Sequence, residues 1–219
     1  MEVLEGVPHA FLTGLGESGP PDAGKLVENG RLVLLDQVHS ADVVHVTAPF
    51  APDERPKADA MVTQISGLVL GIVTADCVPV LLADTAGGVV GAAHAGWRGA
   101  REGVVENTVA AMCKLGARRD RIAAAIGPCI HRQSYEVDEA FRDAFTDADA
   151  RFFEPGRAGH WQFDLRGYVD ARLAQAGVLE KATSPLDTYA HPDRLHSYRR
   201  ATHEGRDTTG RQYSLIAVP

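Results

Sequence analysis

The chain has 219 residues, 45% of them hydrophobic and 23% charged, with 29 Asp and Glu against 22 Lys and Arg for a net charge of −7. That length can bury a core without disulfides, and the composition carries no sign of disorder or of a collagen-like repeat. The acidic balance speaks against a nucleic-acid or anionic-membrane surface, which rewards concentrated Lys and Arg, so any anionic ligand must be held locally.

No apolar run is long enough to span a bilayer, and the N-terminus MEVLEGVPHAF lacks the basic and apolar regions of a secretory signal, so the cytoplasm is the expected location. Cys77, Cys113 and Cys129 are odd in number and widely spaced, with no CxxC, which fits reduced thiols. One domain over residues 1–219 is expected, with Gly/Pro clusters at 17–24 and 48–56 as its only joints.

In chain order, residues 31–35 and 43–47 read as short strands around the loop DQVHSAD, which carries His39. Residues 68–73 and 78–82 are dense in β-branched and aliphatic side chains and are interrupted by TADC and Pro79. This predicts a buried strand that turns at its end, with Cys77 at the terminus. Residues 89–93 predict a third buried strand ending in the Gly-rich turn of GAAHAGWRG, which puts His94 at a strand end as well. Val104, Val105, Thr108, Val109 and Met112 have helical spacing within 100–117, closed by Gly116. Residues 121–126 predict a strand, and Val137, Ala140, Phe141 and Ala144 form a helical stripe over SYEVDEAFRDAFTDA. FDLRGYVDARLAQAGV predicts a further helix, with Asp164 as its N-cap and Gly177 just beyond its end, and the chain closes in a strand. Without strict βαβ alternation, the expected class is α+β, with layered mixed β-sheets and packed helices.

His39, Cys77 and His94 therefore stand at strand ends or adjoining loops. A thiolate with two imidazoles supplies three ligands for Zn²⁺ and leaves the fourth position open, as in catalytic zinc sites. Spacing alone equally allows two loop histidines and a core thiol. Asp76 and Asp42 offer carboxylates for the imidazole N–H groups, and Arg98, four residues after His94, offers a guanidinium for an anion. Cys113 and Cys129 read as packing residues.

The segments QVHSADVV, ADAMVT, TADCVPVLLAD, GAAHAGWRG, AAIGPCI, YEV and SYRR…TGRQYSLI occur in the order typical of the YfiH-type laccase-domain family, which the chain resembles over roughly residues 30–218. The resemblance implies that family's layered α+β fold and zinc-dependent purine nucleoside phosphorylase activity, with adenosine deaminase and methylthioadenosine phosphorylase activities. Carried over, the family's metal ligands fall on His39, Cys77 and His94. Three departures stand out. The segment HAFLTGLGESGPPDAGKLVENG is short and lacks the family's arginine-bearing GGVS stretch, the family's CT is Asp187-Thr188, and FSYRR begins here with His196. The last two are expected at the pocket rim.

The implied partners are a purine nucleoside and phosphate, with no nucleic acid or membrane and a monomer as the simplest assembly. Cys77 and His94 would then be catalytic as well as metal ligands. Asp76 is the nominated proton shuttle, and Arg98 and Arg199 the substrate-binding cations. Two rival readings use the same trio. One is a metal-free thiol amidase editing cell-wall peptidoglycan precursors, with Cys77 as nucleophile and His94 as base. The other is a copper polyphenol oxidase, disfavoured by nine histidines without an HxH pair.

Overall fold

The computed structural model describes residues 2–14 and 19–219, so positions 17 and 18 of the first expected joint, and residues 15–18 of the short N-terminal segment, lie outside the described residues. In chain order the elements are β1 (His9–Phe11), β2 (Arg31–Val33), β3 (Val43–His45), β4 (Ala60–Thr63), β5 (Leu68–Thr74), β6 (Val78–Asp84) and β7 (Val89–Ala95). Then come α1 (Trp97–Glu102), α2 (Val104–Lys114), β8 (Ala123–Ile126), β9 (Glu136–Asp138), α3 (Glu139–Asp143), β10 (Phe153–Pro155) and β11 (His160–Phe163). The last are α4 (Leu165–Gln175), β12 (Glu180–Thr183), α5 (Tyr198–His203) and β13 (Gln212–Ala217).

The strands form three sheets, ordered β12-β8-β6-β7-β4-β3, β1-β13-β5-β2 and β10-β11-β9. Most pairs are antiparallel, whereas β12 with β8, β3 with β4 and β2 with β5 are parallel, so the fold is α+β with mixed sheets.

The continuous apolar runs of β6 and β7 follow from cover on both faces. Val78, Val80 and Leu82 of β6 point with Val89 and Ala93 of β7 into a core closed by α2 and α4. Leu81 and Ala83, with Val90 and Ala92, point the other way, against Leu68, Leu70 and Ile72 of β5 and Ile216 of β13. A six-stranded sheet is thus sandwiched between a helical layer and the four-stranded sheet, and alternation of polar and apolar residues disappears because neither face meets water. Each fully buried Val, Leu or Ile of this set contributes about 1.5–3 kcal/mol.

Two expected helices divide. The stripe over 134–148 becomes β9, which pairs with β11, followed by the five residues of α3 and a 3₁₀ turn. Local capping makes these cuts: the Asp138 side chain accepts from the Phe141 N–H at 2.8 Å, and Thr146 forms a capping box with Asp149. The products of this division cover the third sheet with aromatic rings. Phe141 and Phe145 meet Phe163 with centroids 5.3 and 5.0 Å apart, and Phe141 reaches Trp97 at 4.6 Å.

The helix expected over 100–117 is α1 and α2, separated by Gly103 in left-handed backbone at φ +98°. A Cβ there would meet nothing nearer than 3.7 Å, so the obstacle to a side chain is the backbone conformation itself. The helix over 165–175 forms as expected, with Asp164 accepting from the Gly167 N–H at 2.9 Å and Gly177 left-handed beyond its end. Gly103→Ala is expected to lower the unfolding free energy by about 1–2 kcal/mol, read as a reduced urea midpoint at unchanged slope.

Candidate functional site

The connections between sheets create the site. The chain passes from the four-stranded to the six-stranded sheet twice, between β2 and β3 and between β5 and β6, and these crossovers carry His39 and Cys77. His94 is the penultimate residue of β7, at the same end of the sandwich. One ligand atom from each of the three lies within 4.8 Å of the other two. Cys77 Sγ is 3.8 Å from His39 Nε2, and the two imidazoles meet edge to face with centroids 4.8 Å apart. His39, exposed, has φ +62°, and Asp76, just before Cys77, has φ +90°. Left-handed backbone at non-glycine residues is strained and persists where the surroundings hold it.

Asp59 does much of that holding at His39. Register places Ala60 of β4 opposite Ala93 of β7, so Asp59 falls beside His94, and its carbonyl accepts from the His94 N–H at 2.7 Å. Its carboxylate, fully buried, takes the His94 Nδ1–H at 2.7 Å on one oxygen. The other oxygen takes the N–H groups of Val38 and Ser40 at 3.1 and 2.6 Å, on either side of His39.

Burial alone would raise the Asp59 carboxyl, but the bonds from His94 and Ser40 outweigh it and hold the group at about 2. Burial would likewise raise the Cys77 thiol, yet the His94 charge and the His39 ring bring it to about 6. Burial would lower His94, and the Cys77 thiolate and Asp59 overcome this to raise it to about 9. The last two shifts are one coupled effect, a thiolate and an imidazolium stabilising each other.

These residues fit a metal ion. A thiolate and two imidazoles are the donors of an open three-ligand site, and a carboxylate behind His94 fixes the tautomer with the Nε2 lone pair free. Gly96 makes the room: a Cβ there would stand 2.7 Å from His39 Cδ2 and 3.1 Å from Cys77 Sγ. Among the described residues, His39, Cys77 and His94 are the one group of this kind.

The trio opens into a cavity of about 780 Å³, also lined by Trp97, Arg98, Tyr135, Arg199 and Arg55. Arg98, in the first turn of α1, is exposed with its guanidinium 5.0 Å over the Trp97 ring, and it has no ion-pair partner among the described residues. Arg199 Nη1 donates to the Glu136 carbonyl at 2.7 Å, and its guanidinium lies 5.2 Å over Tyr135.

The carboxylates expected behind the imidazoles are placed differently. Both oxygens of Asp76 accept bonds from other segments, the Thr188 hydroxyl at 2.6 Å and the Arg199 N–H at 2.7 Å. Asp59, not Asp42 or Asp76, stands behind His94. Sequence reasoning missed Asp59, although it lies within ADAMVT, and a carboxylate at the mouth of a wholly buried strand is the signal that would have found it. Tyr135 and Arg55 were missed as site residues as well: Tyr135 opens the YEV segment without a role assigned to it, and Arg55 bears no local pattern.

The two C-terminal departures fall away from this cavity's lining. Asp187, 2% exposed, accepts from the Ser134 hydroxyl at 2.6 Å and pins the loop after Cys129, while His196 Nε2 donates to the Gly14 carbonyl at 2.8 Å. Cys113 packs against the main core from α2, and Cys129 is buried with its thiol pushed up by that burial.

A sequence profile described as multi-copper polyphenol oxidoreductase laccase matches residues 23–219. A curated purine nucleoside phosphorylase of Streptomyces coelicolor is 42% identical over 180 residues, which cover 82% of this chain and 74% of that protein. One of Deinococcus radiodurans is 37% identical over 242 aligned positions, covering 97% and 90%. Among solved structures, YfiH of Bacillus licheniformis superposes with a TM-score of 0.84 at 27% identity, covering 97% of this chain and 93% of that one. YlmD of Geobacillus stearothermophilus superposes at 0.82 and 26% identity, covering 100% and 94%. No helix among the described residues is long and apolar enough to cross a membrane. With the profile spanning nearly the whole sequence and the fold shared with YfiH, the chain belongs to the YfiH-type laccase-domain family.

Proposed function

We propose that the protein is a zinc-dependent purine nucleoside phosphorylase, one catalytic domain that splits a purine nucleoside with phosphate into the free base and ribose 1-phosphate. Adenosine deamination and methylthioadenosine phosphorolysis at the same site belong to this reading. The observation that carries it is the convergence of His39, Cys77 and His94 in a cavity that also presents the Arg98 guanidinium, which has no ion-pair partner among the described residues. Relatives named purine nucleoside phosphorylase at 37–42% identity support the substrate class.

In phosphorolysis the N-glycosidic bond breaks with oxocarbenium-like charge on the ribose while a phosphate oxygen attacks the anomeric carbon, and the departing base takes the bonding electrons. The site must therefore hold an anion on one side of the sugar and a flat apolar base on the other. Arg98, packed on Trp97, and Arg199, packed on Tyr135, offer forked cations whose planar geometry matches phosphate oxygens. The rings beneath them and the apolar Leu34, Leu35 and Ile130 give the base a dry surface. His39, Cys77 and His94 would hold the metal, with Asp59 keeping His94 in its ligating tautomer. When bound, zinc supplies a Lewis acid with one coordination position open.

The lowered Cys77 thiol beside His94 favours a second reading, a Cys–His amidase with Cys77 Sγ as nucleophile. His39 has no role in that chemistry. Copper phenol oxidation, the activity in the profile's description, has the single His₂Cys group to work with among the described residues.

Three measurements test the proposal. Exhaustive chelation is expected to abolish inosine phosphorolysis and Zn²⁺ to restore it, while Cys77→Ala loses both metal and activity; activity that survives chelation would transfer the reaction to the thiol. Arg98→Ala is expected to raise the phosphate KM about tenfold with deamination spared, and an equal loss of both reactions would show that Arg98 shapes the pocket instead. Asp59→Asn is expected to weaken zinc binding about 10- to 100-fold in competition with a chromophoric chelator.

A further inference from the structure

Asp76 stands where remote parts of the chain meet beside the ligand cluster. Its carbonyl accepts from the Ile130 N–H at 2.9 Å, its carboxylate from the Thr188 hydroxyl and the Arg199 N–H at 2.6 and 2.7 Å, and the next residue is Cys77. Arg199 lies in the first turn of α5, where the following N–H, of Arg200, is taken by the Ser197 side chain at 3.1 Å. The start of α5 is thus held from two sides, and the Asp76 bond ties it to the segment that carries Cys77. Fixed there, Arg199 sends its guanidinium over Tyr135 to the Glu136 carbonyl and into the cavity.

We propose that Asp76 is a positioning residue: from the position next to Cys77 its carboxylate anchors the first turn of α5, and so aims the Arg199 guanidinium at the site of the anionic co-substrate, inorganic phosphate. The assignment rests on the phosphorolysis reading and replaces a proton-shuttling role for Asp76. Both carboxylate oxygens are engaged by donors that steady the fold, and a left-handed residue so tightly held is suited to fixing geometry.

The side-chain chemistry separates the two roles. Asparagine tolerates left-handed backbone, its Oδ1 can accept from the Arg199 N–H, and its amide can donate to the Thr188 hydroxyl, which accepts as readily as it donates. Asp76→Asn therefore keeps both bonds but cannot carry a proton. Glycine is at ease in left-handed backbone, so Asp76→Gly removes the carboxylate without adding strain.

The test uses the zinc-loaded protein, with inosine phosphorolysis at varied phosphate, zinc content, and hydrogen exchange of the Arg199 amide. Asp76→Asn is expected to hold the phosphate KM and kcat within about threefold and to keep the Arg199 amide protected. Asp76→Gly is expected to raise the phosphate KM about tenfold with kcat changed far less, to deprotect that amide, and to retain full zinc. Arg199→Gln is expected to raise the phosphate KM similarly, with Asp76→Gly adding little on top of it.

A hundredfold loss of kcat in Asp76→Asn with the amide still protected would overturn the proposal in favour of proton transfer. Loss of zinc in Asp76→Gly would overturn it too, by showing that Asp76 serves Cys77. If the zinc-loaded wild type splits no nucleoside, the functional reading fails by itself. Calorimetric titration with inorganic phosphate then decides the positioning role: binding weakened by Asp76→Gly and not by Asp76→Asn supports it, and binding equal in all three proteins overturns it.

Discussion

Asp59 holds both histidines of the cluster with one carboxylate, and the geometry of the site depends on that arrangement. One oxygen takes the His94 ring and the other takes the two N–H groups that flank His39, so the β2–β3 crossover is fastened to β7 through a single buried group. Each charge-assisted bond of this kind contributes about 1.5–3 kcal/mol, and leaving the buried carboxylate unmet would cost more. The same bonds set the electrostatics. An anion behind His94 favours its protonated or metal-bound form, and the resulting positive character draws Cys77 toward thiolate.

The sandwich explains why chemistry gathers at this end. Short of their ends, β6 and β7 are buried on both faces and have no free surface to offer a ligand. The three candidate ligands are confined to a strand end and to the segments that step from one sheet to the other. His39 and Cys77 occupy two such steps and His94 a strand end, so a rigid core supports a site built from its exits.

Much of this was legible from residue order. The central strands announce themselves as unbroken apolar runs, α4 by its Asp164 cap and closing glycine, and the trio by lying at the ends of those runs. What escaped is tertiary. The stripe over Val137 and Phe141 satisfies helical periodicity, but pairing of β9 with β11 and the cap at Asp138 override it. Gly103 looks like a tolerated interruption until its left-handed backbone turns one helix into two. Asp59 was invisible as a partner of His94 because their meeting depends on the register of β4 against β7, which no local pattern encodes. The α5 start, likewise, has a local cap in Ser197 but takes its second tie from a carboxylate 123 positions away.

Trp97 has a divided loyalty. One neighbour, Phe141, belongs to the aromatic cluster over the small third sheet, while the guanidiniums of Arg98 and Arg101 lie over its ring at 5.0 and 5.7 Å. The cation offered to the cavity therefore inherits its footing from a hydrophobic patch that never touches a ligand. Drift in that patch, a phenylalanine traded for leucine, would shift the footing of the Arg98 guanidinium while every residue facing the cavity stays the same, so packing remote from the opening can retune its charge.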